Sequence, residues 1–256
     1  MCELFGISSK QELYLNDLLK EFFSHGIDHP NGWGMAFFEG NFVSIEKEPE
    51  ASFKSKYLKR RLKDEIRESH MVAHIRLATR GTMEYNNSHP FTKRDKENRT
   101  WTLIHNGTIF NCDALNKYTK IQKGHTDSER ILLYIIDKIN ESIEAKGHLN
   151  KEERFNIIDT IINEITPGNK VNIIIYDSEL LYAHTNYKGS LHINHRSSAS
   201  IISTRPLDQA DWEELPLNTL LAYEDGIEVL RGRNHHHEFF ETEENMKLLF
   251  VDYANL

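Results

Sequence analysis

Two cysteines, Cys2 and Cys112, are all that the 256 residues contain. No disulfide framework can be built beyond a single bridge, so a reducing, cytoplasmic setting is the natural expectation. Long apolar runs are missing too: no stretch approaches the ~18 residues that would span a bilayer, so no membrane role is expected. Residues 1–10 lack the charged and apolar regions of a secretory signal. Positive charge is in deficit, with 31 Lys and Arg against 39 Asp and Glu and a formal net charge of −8. That balance argues against nucleic acid as the main partner and favours a small-molecule site or protein partners. The basic cluster Lys54, Lys56, Lys59, Arg60, Arg61 and Lys63 falls on an expected helix and reads as a solvated face. There is no phosphate-binding glycine loop and no dinucleotide fingerprint. His235-His236-His237 sets three imidazoles side by side, but chain neighbours do not share a face of a helix or strand. The run therefore reads as a polar loop and not as a metal-ligand spacing.

What is there is apolar periodicity from end to end, with no repeat or low-complexity linker. A single domain over residues 1–256 is expected. Cys2 to Ile7 reads as a strand. Leu13, Leu15, Leu18, Leu19, Phe22 and Phe23 form a helical stripe. His29 to Gly34 is loop chemistry. Met35 to Phe38 and Phe42 to Glu46 form a hairpin turning at Gly40-Asn41, and 54–68 a charged helix. Met71 to Leu77 alternates, with His74 and Arg76 on the face opposite Met71, Ala73 and Ile75. Trp101 to His105 is a further strand. Two amphipathic helices carry Ile131 to Ile139 and Phe155 to Ile165. The C-terminal third is mostly strand: Val171 to Tyr176, Leu180 to His184, Ala199 to Ser203, Thr219 to Tyr223 and Ile227 to Leu230, with a turn at Glu224-Asp225-Gly226. Strands, a helix pair and more strands suit two sheets covered by helices.

Cys2 narrows the chemistry most. Small residues after Met1 are the kind of start that is trimmed, which would leave a thiol and an α-amine on one residue. An α-amine has an unperturbed pKa of ~7.7–8.0, so it can act as base for its own thiol. Around Cys2 stand Met1-Cys2-Glu3-Leu4-Phe5-Gly6, His74-Ile75-Arg76-Leu77-Ala78-Thr79-Arg80-Gly81, His105-Asn106-Gly107 and Thr126-Asp127-Ser128-Glu129. Asn31-Gly32-Trp33-Gly34 and Asn87-Ser88-His89-Pro90-Phe91 add to them. In this order the segments resemble the class II glutamine amidotransferases, N-terminal-nucleophile enzymes, and most of all their small stand-alone YafJ-like members.

The resemblance implies an α+β, four-layered αββα sandwich with the Cys2 strand feeding a site between the sheets. It implies that Cys2 attacks the γ-carboxamide of glutamine, that the Asn106 side chain and the Gly107 N–H form the oxyanion hole, and that Arg76 and Asp127 hold the α-carboxylate and α-ammonium. Thr79 would touch the α-carboxylate end, His89, held extended in a loop by the following Pro90, would be a further substrate-binding residue, Trp33 and Gly34 would line the pocket, and His74 would support it by hydrogen bonding. No metal or organic cofactor is called for. Read on their own, Asn106-Gly107 also suits a hairpin turn. Thr126 with Glu129 suits a capping box that holds Asp127 in a first helical turn. The sequence leaves no room for a synthase domain, so either a separate ammonia-acceptor protein or outright hydrolysis of a γ-glutamyl compound is expected. Rival readings are a penicillin- or bile-salt-type amidase, and a binding module that keeps the fold without turnover. The oligomeric state is not legible.

Overall fold

The protein is described by a computed structural model covering residues 2–78, 82–243, 245 and 247. In chain order the elements are β1 (Glu3–Tyr14), α1 (Asn16–Ser24), β2 (Trp33–Glu39), β3 (Phe42–Glu48), α2 (Lys56–Arg61), β4 (Arg67–Ile75), β5 (Phe91–Arg94) and β6 (Thr100–Thr108). Then follow α3 (Asp113–Asn116), α4 (Asp127–Lys146), α5 (Lys151–Ile165), β7 (Lys170–Tyr176), β8 (Leu181–His184), β9 (His192–Arg196), β10 (Ala199–Ser203), β11 (Glu213–Glu214), β12 (Leu221–Glu224) and β13 (Ile227–Arg231).

The strands form two antiparallel sheets. One runs β11-β9-β10-β1-β4-β2-β3 and the other β13-β12-β8-β7-β6-β5. Alternation along each strand divides its side chains between two apolar layers. Phe5 and Ile7 of β1 pack with Leu18, Leu19 and Phe22 of α1, outside the first sheet. Leu4 faces the other way and meets Ile104, Ile174 and Leu181 between the sheets. Leu103, Ile173 and Ile175 face α4 and α5, outside the second sheet. The order helix, sheet, sheet, helix is the expected αββα sandwich. The sheets approach closely at β1: a Cβ on Gly6 would lie 3.2 Å from two atoms of Ile174.

Three local differences from the sequence reading have a common cause. β1 does not stop at Ile7 but continues past an irregularity to pair Leu13 with Glu68 and Tyr14 with Arg67. Leu13 therefore belongs to the strand and not to the α1 stripe, and 67–68 are taken out of the expected charged helix. That helix shrinks to Lys56–Arg61. Buried Asn16 enforces its end: Nδ2 donates to the Leu62 and Asp64 carbonyls at 3.0 and 2.8 Å, and Oδ1 accepts from Ile66 N–H at 2.8 Å. The Glu224-Asp225-Gly226 turn is present, with positive φ at Asp225 and Gly226, the backbone that a tight hairpin needs. Among the described residues no helix is long and apolar enough to cross a membrane.

Candidate active site

Cys2 stands just before β1, and alternation from Leu4 turns its side chain toward the space between the sheets. Its Sγ lies 3.3 Å from both the N–H and the carbonyl of Leu77, in the chain leaving β4. Burial pushes the thiol above its ordinary value. The Leu77 N–H and the Arg76 charge act against that shift, while Asp127 adds to it. Arg76 and Asp127 are thus both within electrostatic reach of Cys2, although the three come from separate segments.

Arg76 is 3% exposed. Its backbone is clamped to the start of β2, with its N–H donating to Gly32 at 2.8 Å and its carbonyl accepting from Asn31 at 3.0 Å. Nη1 donates to the Thr82 carbonyl at 3.0 Å. The Asn31 side chain holds the same loop by accepting from Ala78 N–H at 3.0 Å. In sequence Asn31 stands out only as part of the motif Asn31-Gly32-Trp33-Gly34, which does not reveal this holding role. Thr79 lies outside the described residues.

His74 reaches across from the first sheet to the second. Its Nε2 lies 3.2 Å from the His105 carbonyl. A carbonyl only accepts, so Nε2 carries the proton and Nδ1 keeps a lone pair. Burial holds His74 neutral by lowering its pKa to about 3. His89 stacks on it with ring centroids 4.0 Å apart, and burial keeps His89 well below its ordinary range. Neither His89 nitrogen, nor His74 Nδ1, has a hydrogen-bond partner among the described residues. The His89-Pro90 peptide is cis.

Asn106 and Gly107 do not form a hairpin turn. They lie inside β6, opposite Asn172 and Val171 of β7. Alternation from Ile104 turns Asn106 inward, where it is 2% exposed and its Nδ2 has no partner among the described residues. A buried amide without a partner is costly and uncommon, and it marks a place where a ligand atom is wanted. Gly107 must be glycine, because any Cβ there would strike the Lys170 carbonyl oxygen. Asp127 opens α4 and is fixed through both oxygens: Oδ2 accepts from Ile109 N–H at 2.8 Å and Oδ1 from Ser128 N–H at 2.9 Å. Thr126 caps the helix by accepting from Glu129 N–H. The reciprocal half of a capping box is not made, because the Glu129 carboxylate instead accepts from Lys123 and Gly124 N–H, each at 2.8 Å.

Two expected pocket residues are placed differently. Trp33 faces the helix side of the first sheet, where its indole N–H donates to Glu48 at 3.0 Å. Alternation along β2 explains it: Trp33, Met35 and Phe37 share the α1 side. Gly34 faces inward, but the backbone it lets approach is that of His89. Two polar residues at the inner start of β7 escaped the sequence reading. Asn172 accepts from Thr185 Oγ1 at 2.7 Å and has Nδ2 without a partner among the described residues. Lys170 is buried with its ammonium 3.6 Å from the Tyr187 ring centroid. Burial lowers its pKa to about 8, while Glu241 and Cys2 oppose the shift.

His235-His236-His237 lies in a loop, and among the described residues no three His, Cys, Asp or Glu side chains converge on a metal position. His235 instead meets buried His184, Nε2 to Nε2 at 2.9 Å. Both cysteines are free.

Two sheets enclosed by helices, with the first strand leading out of the inter-sheet space, are the N-terminal-nucleophile hydrolase fold. A phosphoribosylpyrophosphate amidotransferase from B. subtilis superposes with a TM-score of 0.65 at 17% identity, over 91% of this chain and 49% of that one. A predicted glutamine amidotransferase from Pseudomonas aeruginosa superposes at 0.67 and 20% identity, over 90% of this chain and all of the other. The chain belongs to the class-II glutamine amidotransferases, whose family profile matches residues 1–198. Among curated proteins it is 29% identical to the putative glutamine amidotransferase YafJ of Escherichia coli K12, over 72% of each chain. It is 28% identical to the uncharacterized protein MJ1515 of Methanocaldococcus jannaschii, over 88% of this chain and 70% of that protein.

Proposed function

We propose that residues 1–256 form a single glutaminase-type amidotransferase domain in which Cys2, freed of Met1, is the nucleophile. Because burial raises the thiol, little thiolate stands ready, and a base must take the proton as the sulfur attacks. The α-amine of Cys2 is that base, and its conjugate acid protonates the departing ammonia. The attacked carbonyl oxygen becomes an anion that Asn106 Nδ2 and the Gly107 N–H stabilise. Water then resolves the γ-glutamyl thioester to glutamate, with the α-amine again as base. Arg76 offers a planar fork to the α-carboxylate. Asp127, whose Oδ2 accepts from Ile109 N–H and whose Oδ1 accepts from Ser128 N–H and, at 3.4 Å, from Ser128 Oγ, offers its remaining lone pair on Oδ2 to the α-ammonium. His74 and His89, kept neutral by burial, stack on each other within electrostatic reach of Arg76.

The observation that carries this reading is the buried Asn106 Nδ2 with no partner among the described residues, turned from β6 of the second sheet into the inter-sheet space that Cys2 faces from the first. The test is ammonia and glutamate release from glutamine by processed, untagged protein. Stoichiometric release that is lost in Cys2→Ala, with glutamine binding retained, supports the reading. Glutamine binding without release by the processed wild type would favour a binding module instead.

A further inference from the structure

Glu3 follows the nucleophile in the chain, and its side chain leaves the opposite face of β1, where it is 1% exposed. A carboxylate so buried must be paired. His25 Nδ1 lies 2.6 Å from Oε2, and Arg205 Nε lies 2.8 Å from Oε1. The Arg205 contact is off the hydrogen-bonding direction and is an ion pair. His29 Nδ1 stands 4.0 Å from Oε1 and spends its hydrogen bond on the His25 carbonyl at 2.9 Å. The Glu3 hydrogen bond pushes the His25 imidazole above its ordinary value, burial and Arg205 resist, and Glu21 assists from 3.5 Å.

Glu3 therefore gathers segments that surround the start of β1. His25 belongs to the 3-10 turn after α1, and Arg205 follows β10. Glu3 itself is in register with Ile75, one residue before Arg76. The next residue is gripped as well: Leu4 N–H donates to Thr204 Oγ1 at 2.7 Å, and Leu4 O accepts from Thr204 N–H at 3.0 Å. Once Met1 is gone, Cys2 has no chain on its N-terminal side to restrain it, and chain ends are ordered only where they are tied down. A misplacement of ~1 Å at a reacting centre costs on the order of 10² in rate.

We propose that Glu3, held by His25 and Arg205, is the positioning residue of the Cys2 nucleophile, fixing the direction of the thiol from the face of β1 opposite to the site. The inference rests on the reading of Cys2 as the nucleophile. It separates from that reading through the kinetics of Cys2 alkylation by a γ-glutamyl diazoketone analogue of glutamine, followed by intact mass. Glu3→Gln, of equal size, is expected to lower the maximal alkylation rate by ~10–100-fold while the half-saturating concentration moves by less than ~2-fold. Arg205→Met, at a side chain 49% exposed, is expected to lower the maximal rate by ~3–10-fold and keeps the test open if Glu3→Gln does not fold. Glu21→Gln is expected to label like the wild type. Wild-type maximal rates in both Glu3→Gln and Arg205→Met, or a loss confined to half-saturation, would overturn the positioning role. A wild type that takes no label would sink the reading of Cys2 itself, and the proposal with it.

Discussion

Two of the clusters of buried polar side chains among the described residues are finished in opposite ways. In the first, Arg154 on α5 gives Nε to Asp177 at 2.8 Å, Nη1 to the Leu149 carbonyl at 2.9 Å and Nη2 to Glu179 at 2.6 Å. Asp177 also accepts from Tyr182 Oη at 2.8 Å and from the Glu179 and Leu180 N–H groups. Each charged group there is answered. In the second cluster His74 Nδ1, both nitrogens of His89, Asn106 Nδ2 and Asn172 Nδ2 have no hydrogen-bond partner among the described residues. Both clusters cost desolvation. Only the first recovers it among the described residues, and the proposed function gives the second its partner in an arriving substrate. The lesson is that burial of polar groups does not by itself mark a site; what sets the second cluster apart is several unanswered groups on facing strands of the two sheets.

The contrast can be broken from either side. The largest effect is expected from Cys2→Ala, which should lower glutamine hydrolysis by at least ~10⁴-fold and leave thermal unfolding nearly unchanged. An assay of ammonia release beside a melting curve checks both. Arg154→Met should do the reverse. Removing one partner of a buried ion pair typically costs ~3–5 kcal/mol, so a denaturant titration should show a large loss of stability while activity per folded molecule stays close to wild type. Asn106→Ala should cost ~10²–10³ in kcat with a small change in KM, the size expected for one oxyanion donor. Unlike most deletions of a hydrogen-bonding side chain, it should destabilise the free protein little, because the Nδ2 it removes has no partner among the described residues to lose. A marked loss of stability in Asn106→Ala would mean that the two clusters do not differ as described.

The smallest effect concerns pH. Glu3 raises the His25 pKa above 6.5 in the folded state. A raised pKa means that the native state binds the proton more tightly than the unfolded chain does. The pair's contribution is therefore full below pH ~6.5 and is lost as pH rises through the higher folded value. The stability difference between wild type and His25→Gln should shrink as pH is raised across that window, as measured by denaturant midpoints at several pH values. A difference that grows with pH would reverse the assignment.

The sequence spoke clearly where a pattern has a short period. β1, β4, β6 and β7, the hairpin at Gly40-Asn41 and the two long helices were legible from alternation and from apolar stripes. The extension of β1 to Tyr14 was not, because its pairing with Arg67 and Glu68 is fixed by a partner strand more than fifty residues away. β9 (His192–Arg196) escaped because its sequence, His-Ile-Asn-His-Arg, has too little apolar alternation to announce a strand. In the candidate site, Cys2, Arg76, Asn106, Gly107 and Asp127 were singled out by their motifs. Trp33 was read as part of a loop and expected to line the pocket, whereas β2 begins at Trp33 and its strand period turns it toward α1 with Met35. The inner face of β7 also carried a usable signal, since Lys170 and Asn172 are polar where Ile174 and Tyr176 are not. That switch marks where the dry layer between the sheets ends and the polar site begins. Glu3 gave no signal, because the histidines and the arginine that answer it come from distant segments.

The central claim is that Cys2 is an N-terminal nucleophile facing a γ-glutamyl pocket. Intact-mass spectrometry of untagged protein, with and without a γ-glutamyl diazoketone, tests it most directly. The account predicts loss of Met1 and one covalent adduct, mapping to Cys2 and absent from Cys2→Ala. A processed Cys2 that takes no adduct, or a protein that retains Met1 and still hydrolyses glutamine, would contradict it.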